Sequence, residues 1–535
     1  MIHGTSYWPT SITAGMHKET LDGRILEVFD GLPLSMSDML QKTAVKSPDK
    51  VFLVDSSGCA YTYRQFMQRT EAFARYLYME LGVRAGDHVG ILLYNCAEFA
   101  VALYAAGLLR AVAVPLPSKY RQPEILSLAG KADISIMICD EDFVPWFAEY
   151  PQPLHTVVCC GHAEHYGFSH LPCPDCVLPD MPAQKTDDAL ILFTSGTTAM
   201  SKGVPLKNYN ITHTIEAYRR IYRITEDDRS IISTPIYHVT GMIALLGLFA
   251  YTGSTLWLLP KVDPARVLRC VVENRLTFFH ASPTVFQMLL DFRSDFPSLP
   301  SLTRIACGSC NMPAGTIRKL KDWLPQISFY TIYGMTEISS PGTTFPVSAT
   351  DSPYITSSGI PIPGLDIKIV GDDGREVPNG TVGEITLYGT GVISGYYRQD
   401  YGLVDAEGYL HSNDIGYVND EGYLWVVDRK KDMINRGGEK ICAYDVENAL
   451  QLIPKVRQSI VVGIPDPMYG EVPAAVIRLE PGAHCTVEQI TAFLRTQIAK
   501  YQIPAVFRFV EEIPMTRNGK PDKAAARKLF QAAQN

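Results

Sequence analysis

Thr194-Ser195-Gly196-Thr197-Thr198-Ala199-Met200-Ser201-Lys202-Gly203 packs five hydroxyl residues, two glycines and a lysine into ten positions. It directly follows an apolar, strand-like run at 189–193. Backbone amides and hydroxyls in such a loop wrap a polyphosphate, and a lysine neutralises its charge. A surface turn rich in Ser, Thr and Gly has the same composition. The stretch is not a Walker A loop, because Lys202 is followed by Gly203 rather than Ser or Thr and the Gly-Lys order is missing. It therefore reads as a phosphate cradle outside ordinary P-loop chemistry.

The same rhythm of strand, loop and helix runs outward from it. Residues 87–94 read as a buried strand, 95–109 as a helix and 111–115 as the next strand. Similar apolar runs recur at 230–235, 255–259 and 276–280. This β-α-β alternation predicts parallel, doubly wound sheet. The segment 159–185, rich in Pro, Cys and His, reads as a loop. After Thr356 the texture changes to short alternating strands at 365–370, 383–388 and 422–428, which predict a small antiparallel β subdomain over about 356–428. The charged, glycine-ended stretch 428–438 is the candidate interdomain linker. Beyond it, a helix at 443–450, a strand at 456–464 and a helix at 485–499 make a compact unit of about a hundred residues. The expected fold is α/β: an N-terminal domain over 1–430, of doubly wound sheets plus the β subdomain, and a smaller, mobile α+β domain over 431–535.

Bulk properties narrow the function. The chain has 535 residues, 46% of them hydrophobic, enough for a large core. A net charge of −8 without a long basic run argues against a nucleic-acid partner. The most apolar stretch, 241–259, is interrupted by Thr252-Gly253-Ser254-Thr255 and flanked by His238 and Lys261. It reads as a buried helix, turn and strand rather than a membrane anchor. The first residues lack the pattern of a signal peptide and the last carry no peroxisomal or prenylation signal, so a cytoplasmic location with reduced thiols is expected. Of twelve cysteines, Cys173/Cys176 and Cys307/Cys310 form two Cys-x-x-Cys pairs. A four-thiolate zinc site is one reading, but nothing brings the pairs together, and free thiols are preferred. No feature speaks to oligomeric state.

Four further sites carry chemistry. In Tyr333-Gly334-Met335-Thr336-Glu337 an aromatic ring suits a purine, a hydroxyl suits a phosphate oxygen and a carboxylate suits a hard cation such as Mg²⁺; a strand-end turn with a helix cap has the same residues. Asp414, in 411–416, is read as an exposed carboxylate in a tight turn, where it accepts bonds from ribose hydroxyls or simply serves the turn. His238, with Tyr237 in 234–241, either lines a pocket or is a satisfied core histidine. The Asn518-Gly519 turn pushes Lys520 outward, as a mobile charge for a negative transition state or as an ordinary solvated lysine.

Five such sites in this order, from about Met36 to the end, resemble the adenylate-forming enzymes: acyl-CoA synthetases, carrier-protein adenylation domains and beetle luciferase. The likeness is greatest to the acyl-CoA synthetases. The family loop reads Thr-Ser-Gly-Thr-Thr-Gly-x-Pro-Lys-Gly; here Ala199 replaces a glycine and Ser201 the proline. The resemblance implies that Thr194, Ser195, Gly196, Thr197, Thr198 and Lys202 hold the β- and γ-phosphates of ATP. It implies that Tyr333 stacks on adenine beside Gly308-Ser309-Cys310, that Thr336 touches the α-phosphate, that Glu337 ligates Mg²⁺, and that Asp414 and Arg429 hold the ribose. Lys520 is then the catalytic lysine of adenylation, and Lys431 the hinge about which the C-terminal domain turns. That rotation carries Gly437 and Gly438 to the thiol of coenzyme A or of a carrier protein's phosphopantetheine.

The same resemblance places Tyr237, His238, Met242, Gly308, Ser309, Gly334 and Met335 around the acyl group. No aspartate stands between Thr234 and Met242 to bind an α-ammonium, so the expected substrate is a fatty or aryl carboxylic acid rather than an amino acid. The leading expectation is an ATP-dependent acid–CoA ligase acting through acyl-AMP. A freestanding acyl–carrier-protein ligase, a luciferase-like oxidative enzyme and a non-catalytic acyl or nucleotide sensor are the alternatives.

Overall fold

The computed structural model describes residues 1–148, 150, 154–159, 167–168, 170–194, 201–309, 312–516 and 520–531. The first doubly wound sheet runs in the order Gly203–Lys207, Asp188–Phe193, Val112–Pro115, His88–Leu92, Ile136–Asp140, His155–Cys159, all parallel except the edge strand Gly203–Lys207. Its central strands are continuous apolar runs, as parallel strands covered on both faces require. The helix Ala97–Leu108 is buried from Ala97 to Ala106 on every side, consistent with its nearly all-apolar sequence.

A second sheet aligns Arg229–Ile232, Thr255–Leu258 and Val51–Val54 in parallel, with Ala60–Thr62 antiparallel at its edge. The apolar stretch 241–259 is here a π-helical segment Thr240–Gly247, an α-helical turn Leu248–Thr252, a left-handed Gly253 and the strand Thr255–Leu258. Among the described residues no helix is long and apolar enough to cross a membrane.

The third sheet positions the site. Phe278–Ala281, Arg304–Cys307 and Ser328–Tyr333 run parallel, so that His280, Ala306 and Tyr330 stand side by side. One face packs Phe279, Ile305 and Phe329 against the helices Pro264–Asn274, Pro283–Leu290 and Ala314–Trp323. The other meets the helix Asn208–Ile221 and the turn after it, through Tyr222 against Phe278 and Tyr330.

The antiparallel subdomain joins Leu365–Val370, Gly383–Gly389, Leu410–Val418 and Leu424–Arg429. The N-terminus adds a fifth strand, with Ile2 opposite Ile367. A hairpin of Met16–Leu21 and Arg24–Phe29 packs Leu26 and Val28 near Tyr209. The first 35 residues, which the sequence left without a role, thus complete this sheet and its cover. Asp414 is corrected: it lies inside the strand Leu410–Val418, not in a turn, and is 5% exposed. Against Gly383–Gly389 the pairing jumps from Ile415 to His411, and with the left-handed Asn413 (φ 59°) this forms a bulge over 412–414.

The C-terminal part has its own sheet, Glu439–Ile441, Ile434–Arg436, Gly470–Leu479 and Val456–Asp466, with Val506–Phe509 beside Gly470–Leu479. Helices Ala443–Gln451 and Val487–Leu494 share one core, and Lys523–Gln531 belongs to a second. The helix expected over 485–499 is therefore shorter. The expected linker 428–438 is partly strand: Leu424–Arg429 ends inside it and Ile434–Arg436 lies inside it, with turns at 430–432 and 437–438. Asp428 couples the two parts. Its Oδ1 accepts from Lys523 Nζ at 3.1 Å and its Oδ2 from the Ala443 amide at 2.9 Å. Further along, Arg457 pairs with Asp291, and Gln458 donates to Gln287 at 2.7 Å.

Candidate active site

Of the opening loop, Ser195, Gly196, Thr197, Thr198, Ala199 and Met200 lie outside the described residues, as does Cys310. The loop's two ends are defined. The Thr194 amide donates to the Lys202 carbonyl at 3.1 Å, closing the hairpin neck, and Lys131 Nζ donates to the Ser201 carbonyl at 3.3 Å. The Tyr397 amide donates to the Gly203 carbonyl at 2.9 Å. That bond brings Tyr396 and Tyr401 beneath Lys202, whose Nζ stands 5.1 and 4.7 Å from their ring centres.

Glu337 closes this group. It lies in the short helical turn Thr336–Ile338 and is 8% exposed. Its Oε1 accepts from Tyr396 Oη at 3.3 Å. Burial holds its carboxyl above the usual carboxylate range, and burial pushes the ammonium of nearby Lys202 down. An oxygen acid in a pocket it prefers not to charge fits a hard cation, which offsets the lost hydration. Mg²⁺ takes one or two carboxylates and completes its shell with waters and substrate phosphates. That matches a site offering the single buried carboxylate of Glu337. The two Cys-x-x-Cys pairs gain no support: Cys173 is exposed and Cys307 is buried at a strand end.

Tyr333, at the end of Ser328–Tyr333, donates from Oη to Asp414 Oδ2 at 2.9 Å. Arg429 Nε lies 3.3 Å from Asp414 Oδ1. Burial raises the Asp414 carboxyl, with Arg429 and then the Tyr333 bond opposing it. The strand ends thus gather Tyr333, Asp414 and Arg429 into one polar patch. Ser309 continues from Arg304–Cys307 with a left-handed φ of 78° and an exposed side chain, a backbone conformation that costs a non-glycine residue and concentrates at functional sites.

On the acyl side, the Tyr237 and His238 rings pack at a tilt of 57° with centres 4.7 Å apart. Asn95 sets their position from beneath. Its buried amide donates to the carbonyls of Thr234 and Leu259 at 2.8 and 2.9 Å, and its oxygen accepts from the Ile236 amide at 2.8 Å. Gly241 is needed there, because a Cβ would stand 2.7 Å from the Ile236 backbone. Buried Met242 donates its amide to the His238 carbonyl at 3.0 Å. Gly308 and Gly334 sit where strands and turns approach closely: a Cβ on Gly308 would lie 3.3 Å from Ile332, and one on Gly334 2.7 Å from Ser340 Oγ.

Lys520 reaches this site from the C-terminal part. Its amide donates to Thr516 Oγ1 at 3.1 Å, and its carbonyl accepts from the Thr516 amide at 2.7 Å, across a tip at 517–519 that is outside the described residues. Its charge acts on both His238 and Asp414. Burial, then Lys520 and Lys119, push the His238 imidazole down to about 4, so it is neutral at pH 7. His238 is only partly buried, which fits a pocket wall rather than a sealed core. Gly437 and Gly438 are not brought to the site. They are exposed, Gly437 bonds to the Tyr469 carbonyl, and neighbouring Lys440 pairs with Asp372. Lys431 is exposed just past Arg429.

Sequence reasoning missed Tyr396 and Asn95. Tyr396 follows Ser394-Gly395 in a turn of unremarkable composition, and only the Tyr397–Gly203 bond sets it against Glu337. Asn95 stands between a strand and a helix as a turn residue would.

The family model for AMP-binding enzymes matches residues 40–397, and that for the AMP-binding enzyme C-terminal domain matches 445–520. Feruloyl-CoA synthase of an Amycolatopsis species is 32% identical over 89% of this chain and 95% of its own. Medium-chain fatty-acid–CoA ligase of Escherichia coli strain K12 is 29% identical over 92% and 90%. Among solved structures, o-succinylbenzoate CoA synthetase of Bacillus subtilis with its acyl-adenylate intermediate aligns with a TM-score of 0.81 at 26% identity, covering 91% of this chain and 97% of that one. The chain belongs to the AMP-binding enzymes, the adenylate-forming superfamily. Within it, the protein is an AMP-forming acyl-CoA synthetase, a ligase whose reactants are a small carboxylic acid, ATP with Mg²⁺, and coenzyme A.

Proposed function

We propose that the acid is a fatty or aryl acid and that the two half-reactions are divided as follows. The 195–200 loop with Thr194 and Lys202 grips the β- and γ-phosphates. Tyr333 and Gly308-Ser309-Cys310 flank the adenine, and Asp414 with Arg429 takes the ribose hydroxyls. Thr336 bonds the α-phosphate, and Glu337 holds Mg²⁺, which when bound screens the phosphate charge. Tyr237, His238, Met242, Gly308, Ser309, Gly334 and Met335 receive the acyl group. Neutral His238 adds no charge to a wall that must seat an apolar chain.

A carboxylate is a poor electrophile because its oxygen is a bad leaving group. Attack of that oxygen on the α-phosphorus, with loss of pyrophosphate, converts it into AMP, a good one. Two anions must meet for this, and Lys520 places a positive charge between them. The thiol of coenzyme A then attacks the acyl carbon, the acyl–oxygen bond breaks and AMP leaves. What supports this reading is that the charge of Lys520, a residue of the C-terminal part, acts on both His238 and Asp414.

The second half-reaction requires Lys520 to withdraw. The domain boundary is placed between residues 430 and 431, with Lys431 as the hinge, and the turn carries Gly437 and Gly438 to the pantetheine. The cytoplasm, where ATP and coenzyme A are plentiful, is the expected location. The test is Lys520→Ala, assayed separately for the two halves. Pyrophosphate-dependent exchange should fall by about 10²-fold or more, while thioester formation from supplied acyl-AMP persists. Exchange at the wild-type rate refutes the role of Lys520. Faster transfer to a phosphopantetheinylated carrier protein than to coenzyme A would favour the carrier-ligase reading.

A further inference from the structure

The sheet face that carries Gly308, Ile332 and Gly334 also carries His280. His280 pairs in register with Ala306, two residues before Gly308, and strand side chains two apart share a face. It therefore lies about 7 Å deeper than Gly308 along the strands. The helix Asn208–Ile221 covers this depth, and Tyr218 on it brings its ring to 6.1 Å from the His280 imidazole. Ser340 comes from the third side: its Oγ would stand 2.7 Å from a Cβ on Gly334, and it lies beside the Tyr218 hydroxyl, outside hydrogen-bonding geometry.

The polar atoms here are out of keeping with a core. His280 is 2% exposed and Tyr218 is fully buried, yet His280 Nδ1 and Tyr218 Oη make no hydrogen bond among the described residues. Buried polar groups without partners are rare and costly, and in a ligand pocket they mark where the ligand's own polar atom belongs. No charge faces them. Burial alone pushes the imidazole down to about 3, and only burial and Ser340 act on Tyr218. A second carboxylate at this depth would be an unpaired buried anion. A hydroxyl donates one bond and accepts others, so it can donate to Nδ1 while accepting from Tyr218 Oη. The surrounding rings of Tyr218, Tyr222 and Phe278 give it an aromatic setting.

We propose that His280 and Tyr218 form the distal end of the acyl pocket and select an aryl acid bearing an uncharged hydroxyl group remote from its carboxylate. This rests on the acyl-CoA synthetase reading and deepens it by naming the substrate class.

The test compares kcat/KM for cinnamate, 4-hydroxycinnamate and 4-carboxycinnamate, with octanoate as reference, in the wild type, Tyr218→Phe and His280→Leu. The wild type should prefer 4-hydroxycinnamate over cinnamate by at least about tenfold and reject the dicarboxylate. Tyr218→Phe removes one oxygen and His280→Leu one hydrogen-bonding ring. Each should pull the hydroxy-to-parent ratio toward one, a change that a purely structural role would not produce, because instability lowers both rates together. A ratio near one in the wild type, or one unchanged in both folded variants, overturns the proposal. If no acid, octanoate included, supports acyl-AMP formation by the wild type, the enzyme reading itself has failed instead.

Discussion

Glu447 offers a quantitative test of the joint between the two parts. It lies on the helix Ala443–Gln451, and its Oε1 accepts from the Val461 amide at 2.7 Å. Burial raises its carboxyl from 4.5 to about 7; Lys523 and the Val461 bond oppose the rise, and Asp428 and Asp432 add to it. Around this cluster Lys523 pairs with Asp428, Arg527 reaches Asp432 at 3.4 Å, and Asp445 is raised by burial and Asp428. The folded protein thus binds a proton here that the unfolded chain releases between pH 4.5 and about 7. Stability from this group is complete below pH 4.5, falls as pH rises through that window, and is gone above it. The full gap corresponds to about 3 kcal/mol. Glu447 is only partly buried, so water screens part of it and about 1–2 kcal/mol is expected. Glu447→Gln keeps the acceptor for Val461 and removes the titration. Urea midpoints measured from pH 5 to pH 8 should show the variant gaining on the wild type as pH rises, by about 1–2 kcal/mol at pH 8. A difference that is constant across that range would refute the reasoning.

Three other outcomes can be checked. Asp291→Asn weakens the half-exposed contact with Arg457 by about 0.5–1 kcal/mol, and the ratio of thioester formation to adenylation should rise about two- to fivefold; an unchanged ratio would show the contact has no bearing on domain orientation. Gly334→Ala places a Cβ 2.7 Å from Ser340 Oγ and should raise KM for the acid about tenfold with ATP affinity little changed; an effect on ATP alone would contradict the placement of Gly334. Because the His238 imidazole is held at about 4, the pH profile of acid kcat/KM should contain no inflection near 6.5 from this residue. An inflection there that vanishes in His238→Leu would sink that assignment.

What the sequence disclosed followed from local patterns. The strand pattern over 87–94 and 111–115 is visible because parallel strands covered on both faces must be apolar throughout, and Val89–Leu92 and Val112–Pro115 are. The Tyr333–Glu337 run is visible because its residue types sit within five positions. What was hidden depends on pairings between distant segments. Ile2 opposite Ile367 joins residues 365 apart, and neither strand announces its partner. Asp414 reads as a turn residue because an Asn-Asp pair such as Asn413-Asp414 has turn chemistry; tertiary pairing keeps the strand running and turns that chemistry into a bulge. The meeting of Tyr396 with Glu337 is likewise set by backbone pairing with Gly203, which leaves no mark on composition.

Asn95 separates the shape of the acid-binding wall from the identity of the side chains that line it. All three of its bonds go to main-chain atoms, of Thr234, Ile236 and Leu259. The path of the chain into residues 237 and 238 is consequently held by groups that every amino acid possesses. Natural variation or laboratory evolution can exchange Tyr237 and His238 without dismantling the scaffold that presents them, so the substrate range of this enzyme can drift while its machinery for handling ATP stays in register.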